Sequence, residues 1–132
     1  MKENYKIWDE TREWPSILYL HGLHDDCEGF RLVLEDKVLN GCTYLLVFDT
    51  CLTYQKTDKG YCHNSLRDLI RDNRTEFKAV YVVENSEWIT SFLKDNPGGH
   101  LPGNLIHFAI VTQDDWIDII ALKEPVVAKK LT

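Results

Sequence analysis

The feature that most constrains the fold is a nearly continuous apolar run at residues 42–50. In an extended chain, successive side chains point to opposite faces of a sheet. One face of this run carries Tyr44, Leu46 and Phe48, and the other carries Leu45 and Val47. Because both faces are apolar, we predict a strand that lies centrally in a sheet.

Other stretches also have the pattern of strands. We predict strands at residues 17–21, 30–35, 79–83, 105–112 and 116–122, and residues 51–55 either continue the strand before them or turn into a neighbour. Period-two alternation is clearest at residues 30–35. The polar residues 22–28 are expected to form a turn, and Gln113, Asp114 and Asp115 a tight turn that joins the last two strands into a hairpin.

Two helices are predicted between the strands. The first runs from about residue 64 to residue 73, with Asn64 or Ser65 as its cap and an apolar stripe at helical spacing. The second begins after a cap at Asn85 or Ser86 and ends before the proline- and glycine-rich residues 97–104.

The order of these elements indicates the fold class. Regular alternation of strand and helix is absent, so we predict a single α+β domain over residues 1–132. It would contain a single antiparallel or mixed sheet of about five to seven strands, two helices on one face, and a C-terminal β-hairpin. Trp8 and Trp14 are expected to hold the N-terminal segment on the domain, and the tail after Pro125 to fray.

Charge and segment length exclude some classes of partner. The chain has 21 acidic and 15 basic residues, a formal net charge of −6. This balance opposes binding to nucleic acid or to an anionic membrane, and it suits a basic protein partner. The N-terminus has no apolar signal region, and no apolar run approaches the roughly 18 residues of a membrane helix. We therefore expect a soluble, cytoplasmic protein.

The four cysteines agree with a reducing compartment. Cys27, Cys42, Cys51 and Cys62 form no C-x-x-C pair, so neither a zinc ribbon nor a thioredoxin-like site is expected. Free cysteine is common in reduced compartments.

A candidate polar site involves His107, which lies on an otherwise apolar strand face. In the predicted hairpin, Asp118 lies opposite His107 or diagonal to it, within cross-strand reach. A carboxylate there would orient the imidazole, in an acid–base pair or in a purely structural one. Asp49, Tyr54 and Glu84 lie near strand ends and would join this pocket only if their strands are neighbours.

Other motifs are weak. His21, His24, Asp25 and Asp26 are possible metal ligands, but their spacing matches no zinc signature. Residues 97–104 fit neither a dinucleotide-binding motif nor a P-loop, and no G-x-S-x-G is present. We therefore predict no metal, no cofactor and no catalytic residue.

A family resemblance bears on function. Residues 46–49, 83–86, 107–112 and 116–121 resemble segments of small stand-alone bacterial proteins, many of which are immunity proteins of polymorphic or contact-dependent toxin systems. The resemblance implies an inhibitor that binds a toxin's active site, and a nuclease toxin is basic where it holds phosphate.

On this hypothesis, the expected partner-binding residues are exposed acids and one aromatic residue. They are Asp25, Asp26, Glu28, Asp114, Asp115 and Trp116. Two alternatives stay open. One is a small enzyme or ligand-binding protein that uses His107 and Asp118. The other is a homo-oligomeric structural protein that pairs through an exposed strand edge.

Overall fold

The computed structural model describes residues 2–96, 98 and 104–131. Within them, the chain forms nine strands and two α-helices. The strands are β1 (Asn4–Ile7), β2 (Tyr19–Asp26), β3 (Gly29–Glu35), β4 (Thr43–Phe48), β5 (Cys51–Asp58), β6 (Val80–Glu84), β7 (Ile106–Val111), β8 (Asp115–Ala121) and β9 (Val126–Lys130). The helices are α1 (His63–Asp72) and α2 (Glu87–Asp95). The predicted loop at residues 97–104 lies mostly outside the described residues.

The strands form two antiparallel sheets. One has five strands in the order β1-β6-β7-β8-β5, and the other has four in the order β2-β3-β4-β9. The α+β class is correct, but the prediction of a single sheet is wrong. The short connection at Asp49 and Thr50 carries the chain from β4 in one sheet to β5 in the other. Alternation reveals which face of a strand is apolar but not which strand lies beside it.

The main core lies between the two sheets. Phe30, Leu32 and Leu46 from the four-stranded sheet pack in one cluster with Phe108 and Ile119 from the five-stranded sheet. Trp8 and Trp14 are buried at its border, so the prediction that they anchor the N-terminal segment is confirmed. That segment also contains a strand, β1, which the sequence did not predict.

Both helices cover the outer face of the five-stranded sheet. Leu69 of α1 packs in a cluster with Ala109 and Trp116, and Ile89 of α2 packs with Ile120. These strand residues alternate with Phe108 and Ile119, which point to the main core. The placement of two helices on one face is therefore confirmed. Neither helix in the described part of the chain is long and apolar enough to span a membrane.

Two predicted loops are strands instead. The hairpin of β7 and β8 is present, but it is not the last element, because the tail predicted to fray forms β9 and pairs with β4. Residues 22–26, predicted as part of a turn, extend β2, where His24 pairs with Arg31 and Asp25 with Phe30. An edge strand pairs with another strand on one side only, so a polar and exposed sequence can still form one.

Candidate functional site

The candidate polar site lies on the outer face of the five-stranded sheet, between the two helices. His107 of β7 pairs with Ile120 of β8, and Ala109 pairs with Asp118, so Asp118 is diagonal to His107 on the same face. The His107 Nε2 and Asp118 Oδ1 atoms are 2.7 Å apart. His107 is 5% exposed and the Asp118 side chain is 22% exposed. The predicted contact between these residues is therefore observed.

Ser86 is the third residue of this polar site, beside His107 and Asp118, and the sequence predicted it only as a helix cap. Its Oγ accepts a hydrogen bond from the Ile89 amide at 3.1 Å, which makes it the N-cap of α2. The same Oγ lies 2.7 Å from His107 Nδ1. Asn85, with a φ of 58°, provides the turn from β6 into this cap. The cap pattern indicated the position of Ser86, but its contact with His107 depends on where α2 packs.

One arrangement of protons satisfies all of these contacts. His107 Nε2–H donates to Asp118, the Ser86 hydroxyl donates to His107 Nδ1, and the Ser86 oxygen still accepts from Ile89. Trp116 Nε1 donates to the same Asp118 oxygen at 3.2 Å. In the described part of the chain, no buried side-chain nitrogen or oxygen lacks a partner. A network this complete holds its members in place.

Asp118 acts on two neighbouring groups through its negative charge. Burial raises the pKa of the Cys62 thiol, and the charge of Asp118 adds to this effect. Burial also raises the pKa of the Tyr5 hydroxyl far above its ordinary value, and Asp118 contributes to that shift as well. The Trp88 ring stands edge-on to the His107 ring, with 5.2 Å between their centroids. The charge of Asp118 therefore reaches groups on both β1 and the segment before α1, although burial is the larger cause of each shift.

The other predicted members of the pocket lie elsewhere. Tyr54 pairs with Ile119, so it faces the main core, where its ring is 4.5 Å from that of Phe30. Glu84 is exposed and accepts a hydrogen bond from the Asn4 amide group at 2.9 Å. Asp49 is exposed in the connection between β4 and β5. The five-residue pocket does not form, and only His107 and Asp118 of the five meet.

Asp49 instead lies at the same end of the four-stranded sheet as three of the predicted partner-binding acids. Asp25 pairs with Phe30, which in turn pairs with Phe48, the residue before Asp49. We call Asp25, Asp26, Glu28 and Asp49 the acidic end, because all four are exposed at one end of the four-stranded sheet.

Within the acidic end, one carboxylate has a close cationic partner. Asp26 accepts two hydrogen bonds from the Arg31 guanidinium, at 2.9 and 3.0 Å. These bonds, together with one from the Glu28 amide, lower the pKa of Asp26 to about 2. Asp26 therefore stays negative across the physiological range, and Arg31 offsets its charge.

The remaining predicted partner-binding residues lie at the opposite end of the molecule. Asp115 pairs with Asp58, the last residue of β5. Cys51, the first residue of β5, lies near Asp25, whose negative charge contributes to the raised pKa of the Cys51 thiol. The length of β5 therefore separates the two acidic groups by roughly 20 Å. Asp115 forms a salt bridge with Lys56 at 3.0 Å, while Asp114 is exposed.

The prediction that Trp116 is an exposed interface residue is wrong. Its side chain is 2% exposed, and its ring meets the Tyr5 ring edge-to-face at 5.7 Å. Trp116 follows the acidic turn in sequence, but the alternation of side chains along β8 directs its ring to the face that α1 covers. Trp116 is thus a core residue of the helix-covered layer.

The remaining polar cluster, at His21 and His24, is dispersed along β2. His21 Nδ1 faces Glu35 at 3.7 Å, and His24 lies over Gly22. Within residues 2–96, 98 and 104–131, no three His, Cys, Asp or Glu side chains are grouped as in a metal site.

Comparison with known proteins finds no matching family model, no matching curated protein and no matching solved structure.

Proposed function

We propose that this chain is a protein-binding module that binds a basic partner at its acidic end. The observation that supports this proposal is that the hairpin of β2 and β3 and the connection from β4 to β5 place Asp25, Asp26, Glu28 and Asp49 at one end of the four-stranded sheet, where all four are exposed. Arg31 forms its ion pair with Asp26, and among the described residues Asp25, Glu28 and Asp49 form no salt bridge, so three exposed carboxylates remain to attract a cationic surface. Opposite fields accelerate association and favour the matching partner.

A narrower form of the proposal makes the partner a nuclease-like toxin and this chain its immunity protein. The resemblance of the central and C-terminal segments to immunity proteins favours this form, as does the net charge of −6. A nuclease needs a cationic surface to hold phosphate, and clustered carboxylates can occupy such a surface. The four cysteines are free thiols, which is compatible with a cytoplasmic setting.

The test is capture of partners from the native host with tagged protein, at low and at high salt. We expect to capture a basic protein whose binding is retained at low salt and is weaker at high salt. The double variant Glu28→Lys/Asp49→Lys should no longer capture this basic protein. The control is Asp114→Lys, an exposed acid at the far end of the molecule, which should still capture the basic protein. Equal capture by both variants would contradict the proposal.

The narrower form has its own readout. The captured protein should degrade nucleic acid when it is alone and stop doing so when this chain is added. A captured partner without nuclease activity would remove the toxin hypothesis and leave the binding function.

A small enzyme is the second candidate, and the contact of Ser86 with His107 is the observation that favours it. Ser86 also borders an open groove of about 870 Å³. Against this role, the Ser86 oxygen is engaged by the Ile89 amide, and both His107 nitrogens are occupied. Labelling by a fluorophosphonate probe that is lost in Ser86→Ala would support the enzyme, whereas no labelling of the native protein would exclude a reactive serine.

Pairing through a strand edge is the third candidate, and the four edges disfavour it. β1 has four residues, and β2 and β5 each contain a register shift. β9 carries Lys129 and Lys130. Short strands, bulges and lysines are the usual protection of sheet edges against pairing with another chain.

A further inference from the structure

A small cavity opens between α1 and one end of the five-stranded sheet. Leu66 and Leu69 of α1 form one wall, and Tyr81 of β6 and Val111 of β7 form the opposite wall. The cavity has a volume of about 290 Å³. Pockets for small molecules range from roughly 300 to 1,000 Å³, so this cavity suits a compact ligand.

Two large apolar side chains border the cavity on its open side. Ile17, which precedes β2, is 45% exposed, and Phe77, which precedes β6, is 43% exposed. A molecule bound in the cavity would remove these side chains from water together with the walls. Burial of apolar surface is a favourable contribution to binding.

The border of the cavity is positively charged, in a chain of the opposite net charge. Lys59 and Lys78 line the cavity, and none of the described residues that line it is acidic. The chain as a whole has a net charge of −6. The larger groove beside α2, by contrast, is lined by Glu84 and Glu87 as well as by Lys94. The small cavity therefore favours an anion over a cation.

Neither lysine of the cavity has a carboxylate partner. Among the described residues, Lys59 and Lys78 take part in no salt bridge. The Lys78 ammonium group donates a hydrogen bond to the Trp14 carbonyl oxygen at 3.0 Å. This bond holds the ammonium group in place without neutralising its charge.

The acids next to lining residues in the sequence do not supply a counter-ion. Four acids adjoin lining residues and none of them lines the cavity: Asp58, Asp68, Glu76 and Asp114. Asp68 pairs with Arg71 at 3.3 Å, and Glu76 pairs with Arg12 at 2.6 Å. The Asp58 carboxylate accepts a hydrogen bond from the Gly60 amide at 2.8 Å, and Asp114 is exposed to solvent.

Tyr81 adds a hydrogen-bond donor to the cavity. Its side chain is fully buried, and its hydroxyl oxygen accepts a hydrogen bond from the Lys78 amide at 2.9 Å. No described residue accepts the proton of this hydroxyl. Burial raises the pKa of Tyr81, so the hydroxyl keeps its proton. Because a hydroxyl can donate as well as accept, this proton is available to an oxygen of a ligand.

We propose that this cavity binds a small organic carboxylate with an apolar body, such as an aryl or branched-alkyl carboxylate. The apolar body lies between α1 and the sheet, against Leu66, Leu69 and Val111. The carboxylate lies toward the two lysines and accepts a hydrogen bond from the Tyr81 hydroxyl. Apolar contacts of this kind supply affinity, and a few polar groups fix the orientation of the ligand.

Size and charge favour this class of ligand over others. An inorganic anion would leave the apolar walls in contact with water. A neutral apolar molecule would leave the lysines and the Tyr81 hydroxyl unused. A segment of protein could insert little more than one side chain into a cavity of this volume. A compact carboxylate uses both the walls and the charges.

An NMR titration of the labelled native chain with 3-phenylpropionate tests the site. We expect saturable shifts of the Leu69, Tyr81 and Val111 amides, with a dissociation constant in the millimolar range or below, as is usual for ligands this small. Two matched probes separate the contributions. The compound 3-phenylpropanamide lacks the charge and propionate lacks the apolar body, and each should bind about tenfold more weakly or worse.

Surface variants test the role of charge without changing the walls. Lys59→Gln and Lys78→Gln should each weaken binding of 3-phenylpropionate by about tenfold. Ser16→Glu places an acid at the exposed border of the cavity and should also weaken it. Lys123→Gln, at an exposed lysine outside the cavity, is the control and should bind like the native chain. The dispersion of amide signals reports whether each variant folds.

Three outcomes would overturn the proposal. The first is that 3-phenylpropionate, indole-3-acetate and 4-methylpentanoate all leave the cavity amides unshifted. The second is that 3-phenylpropanamide binds as tightly as 3-phenylpropionate. The third is that the two lysine variants bind 3-phenylpropionate like the Lys123→Gln control.

The carboxylate site goes beyond the proposed function, and the two can fail separately. Lys59 follows the last residue of β5, whereas the acidic end adjoins the first. Glu28→Lys/Asp49→Lys should therefore bind 3-phenylpropionate like the native chain. Lys59→Gln should lose affinity for 3-phenylpropionate and still capture the basic partner.

Discussion

His107 of β7 and Asp118 of β8 are joined by a hydrogen bond of 2.7 Å between Nε2 and Oδ1, diagonally across the hairpin. Through Ser86, this bond connects the N-terminus of α2 to the outer face of the five-stranded sheet. The three residues thus fix a helix on a sheet with polar contacts in a layer that is otherwise apolar. The network supports the fold first, and its removal should be measurable as a loss of stability.

Asp118→Ala should lower the free energy of unfolding by about 1–3 kcal/mol, because His107 Nε2–H and Trp116 Nε1–H lose their common acceptor. Urea denaturation followed by tryptophan fluorescence measures this change. Asp114→Ala, in the exposed turn of the same hairpin, is the control and should change stability by less than about 0.5 kcal/mol. Equal effects of the two variants would show that the buried contact contributes nothing.

Ser86→Ala should destabilise the protein by about 1 kcal/mol or more, because it removes the cap of α2 and the partner of His107 Nδ1. The effect should be local, so amide exchange at Ile89 should accelerate more than exchange in β3. Ser91→Ala, an exposed position on the same helix, provides the comparison and should leave Ile89 protected. Unchanged exchange at Ile89 in Ser86→Ala would refute the capping role.

Asp36 should make stability depend on acid pH. Hydrogen bonds from the amides of Leu39, Asn40 and Val38 hold its pKa below the ordinary 3.8, with Leu39 contributing most. A lowered folded-state pKa adds stability that is fully present above the unfolded pKa and is lost as pH falls through the folded value.

The measurement is thermal unfolding from neutral pH down to the range below 3.8. Asp36→Asn should be less stable at neutral pH and should lose less on acidification than the native chain. Parallel pH profiles for the two proteins would contradict this role of Asp36.

The cysteines should react with a maleimide in an order set by exposure and thiol pKa. Cys27 is exposed at the acidic end and should react first. Burial, aided by the charge of Asp25, raises the pKa of Cys51 to about 11 and should slow its reaction. Cys42 is 1% exposed and should react only when the protein unfolds. Timed labelling with mass spectrometry gives the order, and early labelling of Cys42 would contradict the packing of β4.

Several features of the candidate site could be predicted because they are local. A short turn after Thr112 sets the register of the hairpin, so the sequence already brings Asp118 within reach of His107. The cap of α2 was predicted at the right place for the same reason. The contact between Ser86 and His107 could not be predicted, because it depends on how α2 packs on the sheet.

The sequence alone determined the apolar and polar faces of most strands, the two helices, and the hairpin of β7 and β8, because alternation, helical spacing and tight turns act over a few residues; the predicted cap of α1 at Asn64 or Ser65 is wrong, since α1 begins at His63 after Cys62 without a side-chain cap. Only the tertiary structure decided that the strands divide into two sheets, that β9 pairs with β4, that Asp49 and Asp25 lie at the same end of one sheet, and that Trp116 is buried. Pairing between distant strands is selected by how whole faces pack together, and no local pattern encodes that choice. The second face of β4 shows both levels at once, since its apolar residues are visible in the sequence, whereas only the fold shows that both described helices pack on the other sheet.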